Sequence, residues 1–325
     1  MRAVIITRPG PADVLEIQTR PDPVPGAGQV RIRVAASGLN RADLMQREGL
    51  YPPPPDVVAD IPGLEYAGEI ESLGAGVSLW TVGDRVMGIA SGGAHAELLC
   101  VHEREVMPMP ADLSLEEAAA IPEAFLTAFD ALRRLDVGMG ERVLVHAVAS
   151  GVGTAALQLA HAAGAVTIGT SRSSDKLDRA RAFGLDHPID SSDDWAPLVE
   201  AAVGASAVHA VVDLVGGEYL GGDLRVLRPR GRIVVVGLTG GRRASMDLGL
   251  LLAKRATVIG TVLRSRPLEE KAALARRVAD RIVPMFDRGI LRPVVDRVMS
   301  FTDVRAAHEV MASNATFGKV VLRWD

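Results

Sequence analysis

Between Glu141 and Val262 the chain alternates short apolar runs with helix-length segments, and this rhythm constrains its fold more than any other feature. The runs at 142–147, 166–170, 208–214, 232–237 and 257–262 have the length and composition of strands. Between them, 151–163, 175–183 and 219–227 have the composition of helices. Strands joined through helices predict a parallel sheet, covered on both faces.

The flanking regions follow another rhythm. Up to about residue 120, short β-rich runs at 2–7, 30–36, 65–73, 85–89 and 94–101 are divided by turn residues. They predict a barrel-like or sandwich-like β domain. A short helix is expected over Arg41–Arg47, after Asn40. Four prolines after Tyr51 require an extended loop, because proline donates no backbone hydrogen bond. Ser114 and Glu117 form a capping-box pattern, and Pro122 can open a second helix through Arg134. After Pro267 the pattern predicts one long amphipathic helix to about residue 288. A strand at 294–300, a helix at 303–312 and a strand at 319–324 follow. These elements break the regular strand–helix count and can return to complete the first domain. The expected division is therefore 1–122 with 264–325, and 123–263.

Composition narrows the function classes. Lys and Arg number 36 against 40 Asp and Glu, a formal charge of −4, which disfavours nucleic acid or an anionic membrane as the main partner. A single cysteine, Cys100, excludes a disulfide within the chain and any cysteine metal cluster. The longest apolar runs are too short for a bilayer, and the N-terminal stretch lacks the pattern of a signal peptide. A cytoplasmic protein is the expectation.

The strongest local motif runs from Val143 to Gly153, an apolar strand entering a turn of small residues and then a helix. Small residues let backbone approach a pyrophosphate, and the helix start aims free N–H groups at it. Ser150, Gly151, Val152 and Gly153 are the candidate contacts, although the full G-x-G-x-x-G is not met. The strand at 166–170 then ends in Ser171-Arg172-Ser173-Ser174-Asp175-Lys176. NAD enzymes place an acid at such a tip to bind the ribose hydroxyls. Here Ser171, Arg172 and Lys176 offer donors and positive charge to a 2′-phosphate, which predicts NADPH. Solvated charges at a helix start are the alternative.

Six segments together carry a family resemblance: AASGLNRADLMQREGLY (35–51), PGLEYAG (62–68), SGVGTAALQLA (150–160), DLVGG (213–217), GTVLRSRP (260–267) and GKVVLRW (318–324). The chain resembles the medium-chain dehydrogenase/reductase superfamily, and within it the zinc-independent quinone oxidoreductase (zeta-crystallin-like) branch. The resemblance implies an α/β protein with a GroES-like β-rich domain and a Rossmann doubly wound parallel sheet domain. It also implies NADPH-dependent reduction of a quinone. The metal-dependent branch places a Cys and a His as zinc ligands where this chain has Asn40 and Leu64, and its four-cysteine lobe is missing. Neither Asn nor Leu is an ordinary zinc ligand, so no metal is expected.

Asn40 and Tyr51 are the candidate catalytic residues, because the resemblance places their region against the nicotinamide and substrate. Tyr51 can stack on a flat ring and offer its hydroxyl, or simply pack the proline loop. Thr127 is a candidate for the nicotinamide amide, with a bond back to its own helix as the alternative. Gly237 and Leu238 follow a strand end and are expected to line the cofactor cleft. Arg264 is a candidate for cofactor phosphate or substrate, or else for a surface ion pair. Gly318 and Lys319 lie on the C-terminal strand that closes the cleft in the family. His146, His95 and Cys100 are read as structural, and Ser191 stands where the family often has a cofactor-contacting Tyr.

Quinone reduction is the first functional expectation. Reduction of an activated C=C bond, or a non-catalytic NADPH-binding role, are the others. A homodimer is expected through the strand at 256–262, whose apolar edge invites pairing.

Overall fold

The computed structural model describes residues 1–55 and 57–324. In chain order the strands are β1 (Arg2–Ile6), β2 (Leu15–Thr19), β3 (Gln29–Gly38), β4 (Glu65–Leu73), β5 (Arg85–Ile89), β6 (Leu98–His102) and β7 (Val106–Pro108). Then come β8 (Arg142–Val145), β9 (Val166–Ser171), β10 (His187–Asp190), β11 (Val208–Asp213), β12 (Leu227–Val235), β13 (Thr257–Gly260), β14 (Val295–Ser300) and β15 (Lys319–Arg323). The helices are α1 (Arg41–Arg47), α2 (Leu115–Ala118), α3 (Pro122–Arg134), α4 (Gly151–Ala162), α5 (Ser174–Arg181) and α6 (Ala196–Val203). They continue with α7 (Tyr219–Val226), α8 (Leu248–Lys254), α9 (Leu268–Arg281), α10 (Val283–Asp287) and α11 (Val304–Ala312).

The chain divides into two compact units: Met1–Leu126 with Leu263–Asp325, and Thr127–Val262. In the first unit β14, β15, β3, β4, β5 and β7 form one sheet, and β6 pairs with β3. In this unit β14 and β15 run parallel, and the other pairs of the sheet are antiparallel. β15 pairs antiparallel with β3, so the end of the chain completes a sheet begun by its first hundred residues. The core joins Val30, Ile32, Tyr66 and Ile70 to Phe301, Val320 and Leu322. Phe301 and Trp324 stack at 4.3 Å.

The second unit holds a six-stranded sheet in the order β10-β9-β8-β11-β12-β13. Every pair in it is parallel. The order reverses between β8 and β11, the Rossmann arrangement, whose switch point lies outside the carboxyl ends of these two central strands. Leu144, Ile168, Val208, Val211 and Ile233 fill its core with Trp195 and Val199 of the α6 region.

Four local departures have physical causes. The long helix expected over 267–288 is two helices, α9 and α10, broken at Ile282 (φ −101°). Pro284 lies in the first turn of α10 and has no N–H to continue α9. The run at 94–101 is regular strand only from Leu98, while Ala96 makes an isolated bridge to Ala3. β12 begins at Leu227 rather than Arg232 because Leu227 already pairs with Val208; a register shift and Arg230 (φ +64°) then interrupt the ladder before Arg232. β10 is an additional strand, and it contains Pro188, which is tolerated because β10 is an edge. Among the described residues no helix is long and apolar enough to cross a membrane.

Candidate active site

In the second unit the glycine-rich turn begins with Ala147 in the left-handed region at φ +47°. The Val148 N–H donates to Thr170 O at 3.0 Å, tying the turn to the end of β9. Ser150 caps α4: its hydroxyl accepts the Gly153 N–H at 3.0 Å. A Cβ on Gly153 would stand 2.4 Å from Ala147 O, so no larger residue fits without moving backbone. The N–H groups of Gly151 and Val152 lie in the first turn of α4, where a helix supplies no internal acceptor.

Ser171 ends β9, and Arg172 and Lys176 follow it through the start of α5. Arg172 is exposed, while Ser171 and Lys176 are half-buried. Gly237 follows β12, and a Cβ there would meet Leu214 O at 2.3 Å. Leu238 beside it is 45% exposed. Because the strands are parallel, Ser150–Gly153, Ser171–Arg172 and Gly237–Leu238 are all brought to the carboxyl edge of one sheet. A cradle closed to side chains and a helix start can hold the phosphates of a dinucleotide, and the strand tip beside them carries hydroxyls and cations. Thr127 lies on α3 and is buried. Ser191 is buried after β10, and its N–H donates to Ser171 O at 3.0 Å.

His146 follows β8 and has both ring nitrogens occupied, by Thr170 Oγ1 at 2.8 Å and Asp223 Oδ1 at 2.7 Å. Trp195 and Tyr219 contact its ring edge-on. It is a satisfied core residue. Burial pushes the Asp223 carboxyl up to about 6, with the His146 partner opposing.

The first unit brings together Asn40, Tyr51, Arg264 and Lys319 around charged residues that the sequence alone did not single out. Asn40 precedes α1, and its backbone N–H donates to Asp43 Oδ2 at 2.7 Å. Its amide donates to Gly38 O at 3.2 Å and to Glu65 Oε1 at 2.9 Å. Its oxygen accepts from Lys319 Nζ at 2.6 Å. Lys319 also donates to Leu39 O at 2.9 Å and pairs with Glu65 at 2.5 Å. Glu65 is fully buried and Lys319 only 4% exposed. All three ammonium hydrogens therefore have protein acceptors within this unit, as do both amide hydrogens of Asn40. Gly318 (φ +91°) has a backbone task, since a Cβ there would meet Val294 O at 2.2 Å.

Arg264 is likewise engaged inside the unit. Nε donates to Ser91 O at 2.7 Å, Nη1 to Tyr51 O at 3.0 Å and Nη2 to Gln46 Oε1 at 2.5 Å. Its guanidinium stacks 5.1 Å from the centre of the Tyr51 ring. It thus holds the proline loop at both the backbone and the ring of Tyr51. Burial raises the Tyr51 phenol pKa, the Glu123 charge adds to this, and Arg264 opposes it.

The positions that hold zinc in the metal-dependent branch do not fit a zinc centre here. The Asn40 amide is committed to Lys319, Glu65 and Gly38, a buried ammonium already stands against Glu65, and Leu64 is apolar and buried. Among the described residues no group of three or more His, Cys, Asp or Glu is placed to hold a metal. Glu65 does have a signal in the sequence: it is the acid that opens its strand, directly after Gly63-Leu64.

Comparison with known proteins agrees with this architecture. Residues 26–111 match the alcohol dehydrogenase GroES-like domain, and residues 151–280 match the zinc-binding dehydrogenase family. The chain is 33% identical over 324 residues to a quinone oxidoreductase of Pseudomonas aeruginosa, covering 96% of each protein. It is 35% identical to the rat synaptic vesicle membrane protein VAT-1 homolog over 345 residues, 99% of this chain and 84% of that protein. Among solved structures, the Escherichia coli quinone oxidoreductase complexed with NADPH superposes with a TM-score of 0.90 at 28% identity, over the full length of both chains. The chain belongs to the medium-chain dehydrogenase/reductase superfamily of oxidoreductases.

Proposed function

We propose that the protein is an NADPH-dependent quinone reductase of the zinc-independent branch, working without a metal. The observation that carries this reading is the buried Asn40–Glu65–Lys319 cluster. Its donors and its fixed ammonium suit no metal, so the acceptor has to take hydride without that electrophilic help. A quinone does so readily, because the electrons enter a conjugated ring that becomes aromatic. Similarity to quinone oxidoreductases supports the same reading.

Bound NADPH supplies the hydride. In the second unit the Gly151 and Val152 N–H groups take the pyrophosphate, with Ser150 and Gly153 shaping the turn. Ser171, Arg172 and Lys176 take the 2′-phosphate. Gly237 and Leu238 line the bound cofactor, and Thr127 meets the nicotinamide amide. In the first unit Tyr51 stacks on the acceptor ring and donates a hydrogen bond to its oxygen; its raised pKa keeps the phenol protonated. Asn40, Lys319 and Gly318 hold the floor of that region, and Arg264 holds Tyr51. These are positioning roles, because their polar groups or backbones are already committed.

The test is NADPH oxidation by purified protein against ortho-quinones, para-quinones, enones and enoyl thioesters, with NADH in parallel. Fast turnover confined to quinones and to NADPH is expected. Faster turnover of enones or thioesters would transfer the reading to C=C reduction. Tight NADPH binding with no turnover on any acceptor would favour a non-catalytic role.

A further inference from the structure

Reduction of a quinone consumes a hydride and a proton, and the residues assigned so far leave the proton without a donor. Tyr51 can lend a hydrogen bond, but a phenol whose pKa is raised by burial parts with its proton reluctantly. Glu123, in the first turn of α3, is differently placed. Its backbone N–H donates to Glu65 Oε2 at 2.8 Å, which fixes the residue against the Glu65–Lys319 pair and beside Asn40. Its own carboxyl is half-buried and accepts no hydrogen bond among the described residues. Its charge reaches the Tyr51 phenol, so the two side chains share one electrostatic neighbourhood.

We propose that Glu123 delivers the proton that completes reduction of the acceptor, an inference that rests on the quinone-reductase reading. The charged groups around it are Glu65, Lys319, Asp43 and Arg264. Burial raises the carboxyl most and the Glu65 charge next; Lys319 opposes, Asp43 adds, and Arg264 opposes. The result is a carboxyl pushed up to about 8, protonated on most molecules at neutral pH. A donor with a pKa near the working pH is the effective one for proton transfer. Hydride arrival leaves a hydroquinone anion. The O–H bond of Glu123 breaks as a new O–H bond forms on that oxygen, and both electrons of the reduction come from the hydride. Glu123 is left as a carboxylate and recovers its proton from water.

Glu123→Gln keeps the shape and removes the proton. The infrared difference between wild-type and variant protein, neither carrying cofactor, should show the carbonyl stretch of a protonated carboxylic acid at neutral pH. That band should titrate away near pH 8. With NADPH and a quinone, the variant should lose about tenfold or more in kcat at little change in KM for NADPH. The wild-type kcat should fall above pH 8, and the variant should lack that fall. A wild-type kcat and pH profile in the variant, or no carboxylic-acid band assignable to Glu123, would overturn the proposal alone. A wild type inert toward every quinone would overturn the functional reading, and the proposal with it.

Discussion

Arg172 is exposed at a strand tip with no carboxylate ahead of Asp175, so removing its charge tests cofactor choice directly. Arg172→Ala and Lys176→Ala should each weaken NADPH binding by roughly 1.5–3 kcal/mol where a direct phosphate contact is lost, and leave NADH nearly unchanged. Calorimetric titration with both cofactors reads the difference, and equal losses would place these side chains away from the 2′-phosphate. Tyr51→Phe should lower the rate by about tenfold or less, about 1.4 kcal/mol of barrier, because stacking survives and the proton comes from elsewhere. Tyr51→Ala should cost more and raise KM for bulky aromatic quinones. A thousandfold loss in Tyr51→Phe with intact NADPH binding would make the phenol an obligate acid and point to an enone acceptor. Glu123 also links stability to pH. Its folded pKa of about 8 lies above its ordinary value of 4.5, so the folded state holds its proton more tightly. That contribution is fully present below pH 4.5 and is lost as pH rises through 8. Melting temperatures of wild type and Glu123→Gln, compared from pH 5 to pH 9, should diverge in that direction; parallel curves would mean an ordinary, solvated carboxyl.

The turn between β8 and α4 stores conformational cost that one substitution should release. Ala147 adopts φ +47°, where a Cβ is disfavoured and glycine is not. Ala147→Gly should raise stability by up to about 1 kcal/mol in denaturant titration, with NADPH affinity kept. A loss of stability would mean that the methyl group packs usefully. This turn, like the alternating strands around it, was legible in the sequence, because small residues and apolar periodicity report local backbone needs. The capping box at Ser114 and Glu117 was legible for the same reason, and both of its bonds are present. The α9–α10 break was not read: the amphipathic pattern runs through Ile282, and only the missing N–H of Pro284 marks the change. The Asn40–Glu65–Lys319 cluster was half legible. Asn40 and Lys319 stood out through family motifs, but their partner Glu65 is joined to Lys319 only when β15 pairs with β3. Arg264 raises the same difficulty, since spacing cannot tell that its donors face Tyr51, Ser91 and Gln46. Long-range pairing decides which charged groups are spent on the fold, and short motifs carry no record of it.

At the scale of the whole molecule, the second unit's sheet ends at β13, an edge strand. β13 closes that sheet, and among the described residues it pairs with β12 alone. Val258 on this strand is 36% exposed and Val262 just beyond it 45%. Leu248 and Leu252 of α8 are exposed to 64% and 75%. An edge strand with unpaired backbone groups and apolar neighbours is a template for another strand, and nothing in its sequence blunts it: Thr257–Gly260 contains no charge and no proline. A second copy of the same edge, related by a two-fold axis, would continue the sheet through both subunits, and each copy would offer the same patch to the other. Light scattering should therefore give about twice the monomer mass of 34.3 kDa at micromolar concentration. Val258→Lys and Leu252→Glu together place charge on the strand and on the adjoining helix face. Both side chains lie outside the core, so the double variant should fold and elute as a monomer. A wild type that scatters as a monomer would show the edge to be bare in solution, and a dimer that survives the double substitution would place the contact on another face.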